Sequence, residues 1–353
     1  MTDITTGIAA AGGPSPGNVR PAGDGVRVGV IGAGIMGADH ARTLDRWVSG
    51  AVVSRIADVD AGRAAQVAAE VPGAATDTDA QALIAAADVD AVVIASHDST
   101  HAELVRAAVA AGKPVLCEKP LAPTLAEASA VARDVAAGAD LVTLGFMRRF
   151  DAGYTQMRAD LAAGRIGRPL VVHSIGRGVS SGPGADSESA ITNSAIHDLD
   201  IVPWLLGEPL TEIEYRAGNA SGGAPEGLQD PHLLLARTAG GTLVTIDIFL
   251  NARYGYDIRC ELIGETGALS LIEPAVLRRD QDLVSGYRYA EDWRPRFADA
   301  YRRELQAWVD LIRGRDGRGE LATLQDGLRA SRVADAAVRS LRSGGQPVTV
   351  ASD

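Results

Sequence analysis

The sequence predicts an α/β protein: an N-terminal doubly wound parallel sheet, then an α+β domain with a large, mostly antiparallel open sheet. Three observations carry this. Between Val26 and Gly145, short branched apolar runs alternate with Ala-rich stretches of helical length, the pattern of buried parallel strands and their crossover helices. After about Phe150, strand-like runs follow one another without intervening helices, which points to antiparallel pairing. The 353 residues, 46% of them hydrophobic, suffice for about two domains at roughly 150 residues each.

Residues 1–24 are mostly Gly, Ala, Pro, Thr and Ser with almost no large apolar side chain, too little to offset the entropy of ordering, so a disordered tail is expected there. Residues 25–146 form the first domain. Its strands are expected at Val26–Ile31, Val52–Asp58, Ala91–Ser96, Pro114–Cys117 and Leu141–Gly145, with helices at Ala38–Trp47, Gly62–Glu70, Ala102–Ala111 and Leu125–Ala137. Residues 147–353 form the second domain. It opens with a helix (Tyr154–Ala163), a strand (Leu170–Ile175), a Gly- and Ser-rich loop (Gly176–Ser189) and a helix from about Asn193 to Leu206. Strands follow at Glu212–Ala217, His232–Thr238, Thr242–Leu250, Tyr256–Ile263 and Ala268–Ile272, with a hairpin signal at 238–242. Amphipathic helices near Phe297–Arg313 and Leu321–Leu341 close the chain.

A net charge of -11 repels polyphosphate and anionic lipid, so neither nucleic acid nor a membrane surface is expected as a partner. No uncharged apolar run reaches the roughly 18 residues of a spanning helix. The start of the chain has Asp3, no early Lys or Arg and only a short apolar stretch, unlike a signal peptide. Cys117 and Cys260 are two cysteines in apolar runs and read as buried, reduced thiols of a cytoplasmic protein.

Directly after the first strand stands Gly32-Ala33-Gly34-Ile35-Met36-Gly37. A GxGxxG spacing alone is weak in a chain with 40 glycines, where chance supplies it about half a time. Its context is specific. It joins a strand to a helix, and Asp58 ends the next strand some 20 residues on, as a dinucleotide site requires. Gly32 permits the turn, Gly34 the approach of the diphosphate, and Gly37 close packing of helix on strand; the helix N-terminus then offers free N–H groups to the anion. Asp58 accepts hydrogen bonds from the adenosine ribose and repels a 2'-phosphate, and Asp60 adds to that repulsion. NAD is therefore expected over NADP, with Arg55 the residue most able to offset the repulsion and Arg63 placed some way beyond.

Cys117-Glu118-Lys119-Pro120 falls at the carboxyl end of a strand, the edge where doubly wound sheets bind ligands, and an ammonium there can meet a substrate hydroxyl. In Asn193-Ser-Ala-Ile-His197, residues four apart on a helix share a face, which puts an amide beside an imidazole suited to proton transfer near neutrality. His97 and His101 have a metal-like spacing, but Thr100 and Glu103 read as a capping box, so no metal is expected.

Together, the glycine turn, Ser96-His-Asp-Ser-Thr-His101, Glu118-Lys-Pro120, Gly145-Phe-Met-Arg-Arg-Phe-Asp151, the helix holding His197 and Tyr254-Gly-Tyr-Asp-Ile-Arg-Cys-Glu261 resemble the Gfo/Idh/MocA oxidoreductases, and among them the inositol 2-dehydrogenases. The resemblance spans about residues 26–345. It implies a Rossmann domain holding NAD through Gly32, Gly34, Ile35, Met36, Gly37, Asp58, Ser96, Glu118 and Lys119, and an open sheet that supports a homodimer or homotetramer. It further implies that Lys119, as polarising residue, and His197, as general base, act on a cyclitol or sugar hydroxyl, with Asn193, Arg148 and Tyr256 beside the substrate. One residue departs from the pattern: the family has Asp four residues before the catalytic His, and this chain has Asn193. An amide can orient an imidazole but cannot neutralise its charged form, so His197 is expected to be a weaker proton acceptor. This leaves three alternatives to a plain inositol dehydrogenase: an aminocyclitol or other polyol as substrate, an NAD-binding sensor with weak catalysis, or an enzyme that retains its cofactor for epimerisation or elimination.

Overall fold

The computed structural model describes residues 25–271 and 277–351; the expected tail at 1–24 and the last residue of the expected 268–272 strand lie outside them. The first sheet contains β1 (Val26–Ile31), β2 (Ala51–Ala57), β3 (Ala75–Asp77), β4 (Ala91–Ile94), β5 (Val115–Glu118) and β6 (Val142–Gly145), all paired in parallel. Helices α1 (Ile35–Trp47), α2 (Ala61–Ala68), α3 (Ala80–Ala85), α4 (His101–Ala110) and α5 (Leu125–Asp134) connect them. β4, β5 and β6 are buried at every residue, because helices cover both faces of a parallel sheet. Side-chain caps start three of the five connecting helices: Asp60 for α2, Asp79 for α3 and Thr124 for α5.

The second half opens with α6 (Ala152–Ala162), β7 (Pro169–Arg177), the single turn α7 (Ser187–Ser189) and α8 (Ile196–Leu206). Strands β8 (Leu210–Ala217), β9 (His232–Thr238), β10 (Leu243–Phe249), β11 (Asp257–Gly264) and β12 (Ala268–Leu271) follow, then the hairpin β13 (Arg279–Gln281) and β14 (Val284–Gly286). The chain ends with α9 (Trp293–Ile312), β15 (Ala322–Thr323), α10 (Leu324–Arg342) and β16 (Val348–Thr349). The large sheet has the order β12-β11-β7-β10-β9-β8-β16. Its pairs are antiparallel except β7 with β10, and the expected hairpin joins β9 to β10 through Thr238 N–H donating to Thr242 O at 3.0 Å. Alternation along its strands sends Val172, Leu234, Ile246 and Leu262 into one core with Leu199, Val202 and Ala337 from the helices. The alternate positions Ile175, Leu233 and Leu235 are only partly covered on the open face.

The C-terminal chain also returns to the first half. Leu305, Trp308 and Val309 of α9 share a core with Val28, Ala41 and Leu44, and β15 pairs antiparallel with β6. The N-terminal end of α9, through Phe297, Ala300 and Tyr301, belongs to the other core, so one helix is packed into both halves. Cys117 and Cys260 are buried free thiols. Among the described residues no helix is long and apolar enough to cross a membrane.

Candidate functional site

The turn from β1 into α1 is built by steric exclusion. Gly32 has φ +93°, and a Cβ there would stand 2.6 Å from the carbonyl oxygen of Ala95; a Cβ on Gly37 would collide with the carbonyl of Gly32. Gly34 is different: none of the described residues lies within 4 Å of where its Cβ would be, and it caps α1 with no side-chain hydrogen bond. The start of α1 therefore presents unsatisfied N–H groups to open space, the arrangement a diphosphate needs. Asp58, just beyond β2, is fixed beside this turn by the N–H groups of Ala33 and Asp60, both at 2.8 Å. Burial would raise its pKa, but those N–H groups and Arg63 outweigh it and hold the carboxyl below its usual range. The turn, the open helix end and the placed carboxylate fit an NAD dinucleotide.

One expectation about this end needs correction. Arg63 donates to Asp58 at 2.8 Å, whereas Arg55 is taken up by Asp88 at 2.8 Å and Asp77 at 3.7 Å. The cation able to soften repulsion of a 2'-phosphate is thus Arg63, brought back by the first turn of α2, where Asp60 accepts from the N–H groups of Gly62 and Arg63.

A cavity of about 710 Å³ lies between the two halves. It is lined by Met36, Ser96, Glu118 and Lys119 from the first half and by Arg148, Asn193, His197 and Tyr256 from the second. Gly32, Gly34, Ile35, Gly37 and Asp58 lie outside this lining; Met36, inside their turn, is the link between the two groups. The Gly-rich loop also borders the cavity through residues 176–182. Asn251 holds that loop by accepting from Ser181 N–H at 3.0 Å, and Asp230 in turn accepts from the Asn251 amide at 2.7 Å.

Lys119 sits where β5 ends, and its ammonium donates to the backbone carbonyl of Asn193 at 3.1 Å. Burial lowers its pKa, opposed by Glu118 and reinforced by Arg148. His197 is pushed well below the ordinary imidazole value by burial and by the cations Lys119 and Arg148, so the neutral ring is strongly favoured. Its Nδ1 is buried without a hydrogen-bond partner among the described residues, and in the tautomer that carries its proton there Nε2 is the acceptor. Arg148 is clamped at 2.7 Å by Asp198, which also accepts from Ser174 at 2.7 Å. Burial works against this guanidinium, but Asp198 keeps it charged. Burial raises the Tyr256 phenol, so it is a neutral hydroxyl.

Two local expectations fail. Asn193 and His197 are not four apart on one α-helix: residues 190–195 form a π-helical turn and α8 begins at Ile196. The wider turn shifts the register, and Asn193 offers Lys119 its carbonyl rather than bonding the imidazole. Thr100 and Glu103 form no capping box. Thr100 bonds the Ser96 hydroxyl at 2.6 Å and the His97 carbonyl at 2.7 Å, while Glu103 accepts from Gln81; the turn begins earlier, at Asp98, with His97 as its cap. His101 is buried and braces two loops, its ring nitrogens 2.7 Å from Pro120 O and 3.1 Å from Ser96 O.

Glu118 reaches backwards as well as lining the cavity: its carboxylate meets His40 Nε2 of α1 at 2.7 Å. His40 has a readable signal in the sequence, lying on the α1 face with Gly37, Ala41 and Leu44, all buried. Trp293, which also lines the cavity, has none, since its surroundings are entirely tertiary.

Residues 26–146 match the oxidoreductase family with an NAD-binding Rossmann fold, and residues 154–270 match the GFO/IDH/MocA C-terminal domain. The chain belongs to the Gfo/Idh/MocA oxidoreductases. This family member is an NAD-dependent dehydrogenase. It is 53% identical over 330 residues to inositol 2-dehydrogenase 2 of Paenarthrobacter aurescens, covering 92% of this chain and 98% of the relative. It is 47% identical over 329 residues to inositol 2-dehydrogenase 2 of Saccharopolyspora erythraea, covering 92% and 96%. Among solved structures, the myo-inositol dehydrogenase of Lactobacillus casei in complex with NAD(H) and myo-inositol superposes with a TM-score of 0.87 at 31% identity, covering 93% of this chain and 98% of that one.

Proposed function

We propose that this protein oxidises one secondary hydroxyl of a cyclitol, myo-inositol or a close relative, to a ketone. The observation that carries the reading is the single cavity that brings Lys119, His197, Asn193 and Tyr256 together beside the phosphate-binding turn; similarity to inositol dehydrogenases over nine-tenths of the chain supports it. NAD, when bound, supplies the hydride acceptor at its nicotinamide ring.

The chain's own residues supply the rest. His197 Nε2 takes the hydroxyl proton as the carbon–hydrogen bond is broken, and its neutral form is ready to do so. One N–H of Lys119 is held by Asn193 O, which orients the ammonium and leaves two donors for the substrate oxygen, where they stabilise developing alkoxide charge. Arg148, fixed by Asp198, adds positive potential. Asn193, whose amide makes no hydrogen bond among the described residues, and the Tyr256 hydroxyl are donors and acceptors suited to the remaining ring hydroxyls.

A panel of cyclitols, sugars and acyclic polyols, each assayed for NADH formation, tests this. A cyclitol should give the highest kcat/KM. Tight NAD binding with no turnover on any polyol would favour a sensor, and ketone chemistry without net NADH would favour a retained cofactor.

A further inference from the structure

Helix α1, with the turn that follows it, lies beside α9 and touches it at three levels. At the far end, Ser49 N–H donates to the Gln306 side chain at 2.8 Å and Gln306 donates back to Ser49 O at 3.1 Å. In the middle, the Tyr301 ring meets His40 edge to face at 5.6 Å. At the end facing the cavity, Trp293 Nε1–H donates to Met36 Sδ at 3.0 Å. Met36 is the residue before Gly37 in the phosphate-binding turn, and Trp293 opens α9 directly after its cap, Asp292. Both side chains are half-buried and line the same cavity as Lys119 and His197.

Methionine has three soft torsions and no single preferred seat, whereas an indole is stiff and has one donor. Gly32 and Gly37 leave the turn no room for a side chain, Gly32 lying against Ala95 and Ser96 just past β4 and Gly37 against the Gly32 carbonyl. Among the residues of the turn it is Met36 whose side chain lines the cavity, and the Trp293 N–H holds its sulfur in one position. A dinucleotide with its diphosphate at the start of α1 and its reactive ring near Lys119 must pass Met36, the residue shared by the turn and the cavity.

We propose that Trp293 is a positioning residue for the cofactor: through Met36, the second half of the chain sets the wall along which the nicotinamide end lies. This rests on the reading of the cavity as the NAD and polyol site. It makes Trp293 a determinant of NAD affinity although it lies far outside the nucleotide-binding motif in sequence.

The test is a double-mutant cycle on NAD binding, measured by calorimetry on the full chain. Trp293→Phe keeps a ring and removes the donor; Met36→Leu keeps volume and removes the acceptor. Each should weaken NAD binding about 3- to 10-fold, raising KM for NAD more than it lowers kcat. The double variant should be no weaker than the worse single, since both remove one shared bond. Additive losses, or unchanged NAD affinity with only a fall in Tm, would overturn the proposal. Because calorimetry needs no turnover, a protein that shows the coupling but oxidises no polyol would sink the functional reading and leave this one standing.

Discussion

The turn after β1 and the segment leading into α8 both bring functional groups to one cavity, by different means. In the first, hard-sphere exclusion decides: a side chain at Gly32 or Gly37 meets backbone, so the residue types themselves specify the shape. In the second, a π-helical turn at residues 190–195 presents a carbonyl to Lys119, and no residue type announces it. Shape fixed by what cannot fit is written locally. A turn that meets its partner only across the cleft, as Asn193 O meets Lys119 Nζ at 3.1 Å, is not.

Substitutions in the two regions should therefore fail differently. The largest effect is expected at Gly37→Ala, whose Cβ meets the Gly32 carbonyl: NAD affinity should fall at least about 100-fold, equivalent to some 2.7 kcal/mol. Calorimetry alongside a Tm measurement separates lost binding from lost fold. Near-normal NAD affinity in a folded variant would remove the steric account of the turn.

Lys119→Ala tests the other region, and kcat/KM for the polyol should drop by about 10² to 10⁴ with NAD binding much less affected. A loss smaller than about tenfold would mean the ammonium is not at the reacting oxygen.

Cofactor choice gives a smaller effect. A 2'-phosphate beside Asp58 costs about 1 to 4 kcal/mol for charges near 4 Å apart, although the Arg63 pair at 2.8 Å softens this. NAD should remain preferred by about tenfold, and Asp58→Ala should narrow the preference by releasing Arg63 toward the phosphate. Equal kcat/KM for both cofactors in the unaltered protein would contradict the charge argument.

The mildest change is Asn193→Asp. Because burial and two cations depress the His197 pKa, catalysis by its neutral form should persist to lower pH than an unperturbed imidazole allows. A carboxylate at 193 stabilises the protonated ring, so the acid limb of the kcat/KM profile should move to higher pH. An unmoved limb would show that the π turn keeps position 193 out of electrostatic reach of the imidazole.

Most of the architecture is legible from apolar runs and turn residues because it repeats local patterns. What escaped has physical reasons. The three-residue β3 and the fully exposed β13 and β14 carry no apolar alternation to read. Thr100 satisfies a capping-box spacing, yet the helical turn starts two residues earlier and uses its hydroxyl elsewhere. Arg63 lies five residues past Asp58, in the first turn of α2, which brings its guanidinium back onto the carboxylate. The Met36 and Trp293 contact joins residues 257 apart, a separation at which only tertiary packing decides the partner.

The most direct measurement uses myo-inositol carrying deuterium on the carbon to be oxidised. Under single-turnover conditions the label should appear in the NADH nicotinamide, with NADH and ketone formed in equal amounts and a slowed transfer step. NADH free of deuterium, or ketone formed without labelled NADH, would contradict oxidation of a ring carbon by direct hydride transfer in the cavity between Lys119 and His197.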